Sequence, residues 1–193
     1  MKSRLTLSVL AASVAVSGLS LLPIPAQAAE WVVDQAKSSL GFSGTQSGAA
    51  FSGKFTHWDA KISFDPANPS SGTASVTIDT ASAKTGDLQK DESLPQADWF
   101  DSKSFPQAKF EANGFKSKGG KDYDAAGSLT IRGIHKDVTL PFTLDITGDT
   151  AHAKGKLILI RTDYGVGQGA WSTPQTVALE VGVDVDLVAT KKP

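Results

Sequence analysis

The residues best able to do chemistry in this chain are three histidines, a group of carboxylates and two arginines. Their spacing argues against most reactions. His57, His135 and His152 fall in three separate strand-like stretches, without the i, i+4 spacing that presents two imidazoles to a metal. Only folding could assemble them, and they read as surface residues of strands and turns. Serines abound, yet none sits in a Gly-x-Ser-x-Gly elbow. Gly165-Val166-Gly167-Gln168-Gly169 is glycine-rich but lacks the lysine of a phosphate-binding loop and is followed by no helical pattern. It reads as a flexible turn. Asp87, Asp91, Glu92 and Asp98 cluster in one segment. Their spacing is not that of a twelve-residue calcium loop, so a solvated, helix-capping role fits better. Arg161 stands two residues before Asp163, a placement suited to a structural ion pair. For Arg132 and Arg161 the alternative is a grip on a ligand's head group.

Composition removes further options. The 193 residues contain no cysteine, which excludes disulfides, thiol nucleophiles, thiolate metal sites and anchorage through a lipidated cysteine. A net charge of −1 lacks the basic surplus of a nucleic-acid binder. Met1 to Ala28 reads as a leader rather than part of the fold. Lys2 and Arg4 precede an apolar run from Leu5 to Leu22, and Pro23, Pro25 and Ala26-Gln27-Ala28 supply a cleavage pattern. An export signal removed after Ala28 leaves a domain over 29–193, and the expected location is the periplasm. No later stretch has the roughly 18 apolar residues of a spanning helix, so stable membrane insertion is not expected.

The remainder alternates with a period of two, as half-buried strands do. Ala74-Val76-Ile78 and Ala108-Phe110-Ala112 each oppose polar neighbours. Val138, Leu140, Phe142, Leu144 and Ile146 follow, and the run from Val177 to Leu187 is the cleanest. Turn signals separate the runs. About eight strands in an antiparallel meander, an all-β barrel, are expected. One run changes phase: Phe51 and Phe55 are odd, whereas Trp58, Ile62 and Phe64 are even. A strand cannot exchange faces without an irregularity, which predicts a bulge or bend at Thr56-His57. Ala81 to Ser104 does not alternate. It contains a short helical stretch near Thr85–Asp91 and carries Leu88, Leu94, Trp99 and Phe100, which suits a cap over the barrel opening.

A barrel of this size either fills with its own side chains or holds one small ligand. Small residues recur on the apolar faces: Gly53, Ala74, Ala108, Ala112, Gly127, Ala151, Ala153 and Gly155. If they face inward they leave volume that a hydrophobic ligand could fill. If they mark bends, Phe and Trp plug the interior. Periodicity leaves both open.

The chain resembles the YceI-like family over essentially the whole of 29–193. The resemblance rests on Trp31-Val32-Val33-Asp34, Ser38-Ser39-Leu40-Gly41-Phe42 and Gly53-Lys54-Phe55-Thr56-His57-Trp58. In the middle it continues through Thr85-Gly86, Asp91, Leu94, Trp99-Phe100-Asp101 and Phe105-Pro106. The run from Gly127 to Lys136 is similar to the family's Gly-x-Leu-Thr stretch. Arg161-Thr162-Asp163-Tyr164-Gly165 differs from the usual pattern by Tyr164 in place of Phe. The resemblance implies an eight-stranded antiparallel lipocalin-like β-barrel that holds a long isoprenoid or similar amphiphilic lipid, such as a polyprenyl chain or quinone tail. It also implies a homodimer. It requires no cofactor beyond the lipid and no catalytic group. On that reading Phe42, Phe51, Phe55, Val76, Ile78, Phe110, Leu129, Ile131, Phe142 and Trp171 form the wall, with Leu88, Trp99 and Phe100 near the mouth. Asp91 and Asp101 brace the cap. The competing readings are a plugged structural or stress-response barrel and an enzyme acting on the same lipid.

Overall fold

The computed structural model describes residues 28–193. The expected leader, apart from Ala28, lies outside them. Eleven strands follow in order: β1 (Ala29–Val33), β2 (Ser39–Gln46), β3 (Ala49–Phe55), β4 (Trp58–Phe64), β5 (Thr73–Asp79), β6 (Ala83–Lys84), β7 (Gln107–Gly119), β8 (Asp122–Ile131), β9 (Ile134–Thr147), β10 (Thr150–Ile160) and β11 (Glu180–Lys191). One short helix, α1 (Leu88–Ser93), lies between β6 and β7. It is capped by Asp87, whose side chain accepts from the Lys90 amide.

Eight of the strands close a ring in the order β1-β4-β5-β7-β8-β9-β10-β11, with β1 pairing back onto β11. All pairings are antiparallel. The last strand does double work. Its C-terminal end pairs with β1, Trp31 opposite Lys191, while Gly182–Asp186 pairs with β2. β2 and β3 form a hairpin whose Ser47-Gly48 turn has two positive φ angles, 50° and 80°. This hairpin, with the two-residue β6, extends the wall at one end of the barrel.

The predicted bend is present at Thr56-His57, between β3 and β4. Buried Ser82 staples it: its hydroxyl accepts from the His57 amide at 3.1 Å and donates to the Asp79 carbonyl at 2.7 Å, while its own carbonyl accepts from the Thr56 amide at 3.1 Å. A second irregularity was not anticipated. The β7–β8 register shifts between Ala112 and Phe115. Gly114 sits there at φ 95°, donating to Gly72, and an added Cβ would lie 2.9 Å from the Ser70 carbonyl oxygen. Both Ala112 and Phe115 are buried as a result. The run expected from Val177 to Leu187 also starts later, since β11 begins at Glu180 and Val177 makes only an isolated bridge to Gln46.

Two of the glycines expected on the inner faces lie against neighbouring rings. At Gly53 a Cβ would strike the Phe42 ring, and at Gly127 it would strike the Glu111 carbonyl oxygen and approach the Phe110 ring to 3.0 Å. Neighbouring rings therefore occupy the space that these glycines leave, which is how sheets commonly use such positions.

The β9–β10 ladder runs from Thr147–Thr150 to Phe142–Gly155 and stops. The next residue on β9 is Pro141, which has no N–H to donate. Beyond it β9 continues on β8 as far as Ile134, and β10 continues on β11 as far as Ile160. Each strand thus has one edge without a ladder partner toward the mouth. Amide hydrogen exchange should reflect this parting. Half of the amides in 134–140 and 156–160 should exchange well before those of 142–147 and 150–155. Uniform protection along β9 and β10 would contradict the parted seam.

Candidate functional site

The inward faces surround one continuous apolar cavity of about 270 Å³. Alternate residues of β10 from Ala151 to Leu159 line it, so with ordinary strand rise and barrel tilt the tube is roughly 20 Å long. Its width comes from small side chains: Ala74, Ala108, Ala125, Ala151, Ala153, Gly155 and Ala189 all face it. At the base Phe64, Phe115, Tyr123 and Phe142 pack edge-on or stacked, with ring centroids 5.3 to 5.8 Å apart. Trp31 covers them from β1, its indole N–H donating to the Phe64 carbonyl at 3.1 Å. Closure of the ring by β1 therefore also closes that end of the tube.

The structure places eleven of the thirteen expected wall and mouth residues on this cavity: Phe42, Phe51, Phe55, Val76, Ile78, Trp99, Phe100, Phe110, Leu129, Ile131 and Phe142. Leu88 does not reach it and is 74% exposed. It opens a helix of six residues whose outer side faces water, and Leu94, just past its end, lines the tube instead. Trp171 is also off the wall. It stands behind Trp99, with ring centroids 5.5 Å apart, and backs the mouth. Several lining residues were missed. Phe115 was hidden by the bulge that shifts its phase. Leu157 and Leu159 were hidden because their outward neighbours Ile158 and Ile160 are apolar too, 54% and 37% exposed. Phe64 and Val181 to Leu187 were legible in the alternation and could have been named.

The mouth is built from two segments pinned to each other. The excursion after β6 supplies Leu94, Trp99 and Phe100, and the segment after β10 supplies Tyr164 and Val166. Phe100 meets Phe55 at 5.9 Å, and Phe55 meets Phe42 at 5.3 Å. The Asp98 carbonyl accepts from the amides of Gly167 and Gln168 at 2.7 and 2.8 Å. The glycine-rich stretch at 165–169 is thus a fastened loop rather than a free turn. Arg132, at φ 49° in the β8–β9 turn, donates through Nη1 to the carbonyls of Ala97 and Trp99 at 2.7 and 2.6 Å.

Arg161 organises the second segment. It is only 4% exposed, and the expected ion pair with Asp163 does not form, because Asp163 pairs with Lys136 at 2.9 Å. Its guanidinium instead donates to the carbonyls of Ala178, Val166, Trp171 and Val177 at 2.5 to 3.0 Å. Gly167 and Thr173 lie at 3.4 Å. A Cβ on Gly167 would collide with the guanidinium, so that position must be glycine. The face of the Trp99 ring lies 5.5 Å from the guanidinium carbon, a favourable cation–π placement. Burial lowers the Arg161 pKa and raises that of Tyr164. Across the mouth, Asp91 accepts at one oxygen from the Thr85 amide and hydroxyl, at 2.6 and 2.8 Å. These bonds hold its carboxyl below its ordinary 3.8, led by the backbone contact. The brace expected of Asp91 is present. The three histidines stay apart: His57 lies at the bend, His135 is exposed on β9, and His152 pairs with Asp186 across β10 and β11.

Two outcomes follow for the mouth. Arg161→Met would leave at least four carbonyls without their donor and cost about 3 kcal/mol or more, lowering the urea midpoint; an unchanged midpoint would contradict the bracing role. Because the Asp91 pKa is depressed on folding, its contribution is present above the ordinary value and is lost as pH falls through the folded one. Protection of the Thr85 amide should therefore weaken in that acidic window in the wild type and show no such step in Asp91→Asn. A step that persisted in the variant would assign it to another group.

Comparison with known proteins agrees with this architecture. Residues 31–189 match the YceI-like domain. A protein designated UPF0312 from Pseudomonas putida is 32% identical over 158 residues, 79% of each chain. Another, from Shewanella denitrificans, is 36% identical over 143 residues, 72% of each chain. Among solved structures, BcnA of Burkholderia cenocepacia superposes with a TM-score of 0.79 at 38% identity, covering 82% of this chain and 99% of that one. A polyisoprenoid binding domain from Saccharophagus degradans shares the fold at 16% identity, with a TM-score of 0.68 over 86% of this chain and 99% of the other. On the domain match and these relatives, the chain belongs to the YceI-like family.

Proposed function

We propose that this protein is a carrier or store for a long amphiphilic lipid of isoprenoid type, with the tail in the tube and the head at the mouth. The observation that carries the reading is the cavity itself: one continuous apolar channel with a closed aromatic base. Each CH₂ group moved from water into such a channel contributes about 0.8 kcal/mol, so a tail of many carbons needs no specific polar contact to enter. The similarity in fold to a polyisoprenoid binding domain supports the tail chemistry. Of the charged groups around the mouth, Arg161 and Asp91 bond to the chain's own backbone and Lys90 pairs with Asp87. That arrangement suits binding rather than an acid–base reaction. The leader pattern at Met1–Ala28 supports export to the periplasm, and among the described residues no helix is long and apolar enough to cross a membrane.

Filling the tube tests the reading without burying a charge. Ala153 faces the cavity from the basal half of β10, opposite Leu144 and Leu187. Ala153→Phe should reduce lipid recovered with the purified protein by about tenfold, while raising stability by about 1 kcal/mol, as cavity-filling changes commonly do. Lipid recovery equal to wild type in a folded Ala153→Phe protein would contradict a tail-filled tube.

A further inference from the structure

We propose that lipid enters and leaves the tube sideways, through the parted seam between β9 and β10, and that the Lys136–Asp163 ion pair latches that seam. The inference rests on the carrier reading and adds the route by which the tube is loaded and emptied.

Past Phe142–Gly155 the two strands run on without a ladder between them. Ile134–Leu140 is held by β8 and Lys156–Ile160 by β11, so moving the two edges apart breaks no bond of either ladder. Inside, Leu140, Leu157 and Leu159 line the tube, and Val138 packs with Leu129, Leu159, Tyr164 and Val166. These contacts are non-directional, and a passing apolar tail replaces them with contacts of the same kind. Toward the mouth, Lys136 on β9 reaches Asp163, just beyond β10, at 2.9 Å. Both side chains are half exposed, and such pairs hold only weakly.

The outer face of β10 changes at the same level. His152, Lys154 and Lys156 point outward and pair with Asp186 and Asp184 of β11. The next outward residues are Ile158 and Ile160, 54% and 37% exposed. Apolar side chains thus appear on the outside of β10 where it has left β9. A tail crossing there meets apolar side chains on both the inner and the outer surface.

The mouth is fastened more firmly. Its two covering segments are joined by the Asp98 carbonyl and the amides of Gly167 and Gln168, and are held by Arg132 and the enclosed Arg161. Hydrogen bonds from a charged donor are the stronger kind. A lipid leaving lengthwise would draw its whole tail past Phe51, Leu94, Trp99 and Phe100. A lipid leaving sideways keeps its head in water, because the seam runs up to the mouth. Lateral release therefore disturbs fewer strong bonds.

Ties across each opening separate the two routes. The chain has no cysteine, so an introduced pair is unique. Thr139→Cys/Ile158→Cys places thiols on the two outer edges of the seam, opposite each other when the β9–β10 register is carried on. Asp98→Cys/Gln168→Cys does the same for the mouth segments. Each protein is delipidated, loaded with geranylgeraniol, then tied with a short bismaleimide, and the tie is confirmed by intact mass. Transfer of the alcohol to phosphatidylcholine vesicles is followed with time. Tying the seam should slow transfer about tenfold or more, as locking a gate does, and tying the mouth should change it by less than about twofold. A seam tie that left the rate unchanged, or a mouth tie that slowed it as much, would overturn the lateral route and leave the carrier reading standing. Failure of the untied protein to take up geranylgeraniol would overturn both. Lys136→Met should speed transfer about threefold, the effect of losing an exposed ion pair. It should also abolish the acceleration that added salt gives the wild type by screening that pair. Equal rates in Lys136→Met and wild type would remove the latch.

Discussion

Eight strands closed into a barrel enclose a volume that their own inner side chains must either fill or leave open. Here they leave it open. Alanines and a glycine line it on β5, β7, β8, β10 and β11, where larger residues would meet across the axis. Were the resulting 270 Å³ dry and empty, it would cost on the order of 6 kcal/mol at the usual price per unit volume. That is comparable to the entire net stability of an ordinary domain. An apolar tail inside the tube removes the cost and supplies the missing contacts. The rest of the molecule is organised around keeping such a space shaped, closed at one end and accessible at the other.

The two ends use different physics. At the base, aromatic rings pack against one another and β1 completes the ring, so closure is a matter of shape and apolar area. At the mouth the covering segments lack long ladders, and their order comes from backbone carbonyls gathered onto arginine. A buried guanidinium without a carboxylate partner is expensive to desolvate, and Arg161 offsets that cost by satisfying carbonyls of a segment with little regular structure of its own. The parted edges of β9 and β10 adjoin this end, so the half of the barrel nearest the mouth is less tied by backbone bonds than the base.

Much of this was legible in the residues. Alternation revealed the inner faces of β5, β9 and most of β11, and the phase change between Phe55 and Trp58 located the Thr56-His57 bend. What escaped was information carried across strands. The Asn113-Gly114 bulge exists because Gly114 must pass close to Ser70 and Gly72, distant in sequence. Arg161 beside Asp163 looked like an ion pair, but strand geometry gives Asp163 to Lys136 and sends the guanidinium inward. Periodicity could not decide between a plug and a lining, because that depends on where rings such as Phe42 and Phe110 lie over glycines on adjacent strands.

The central claim, that the tube holds a lipid tail, is tested most directly by a crystal structure of the protein purified from its own host without delipidation. The account predicts continuous, chain-like density running from beside Phe64 and Phe115 at the base, past Phe110 and Leu129, to Phe51 and Trp99 at the mouth. A tube containing only ordered water, or one collapsed by inward rotation of its aromatic rings, would contradict it.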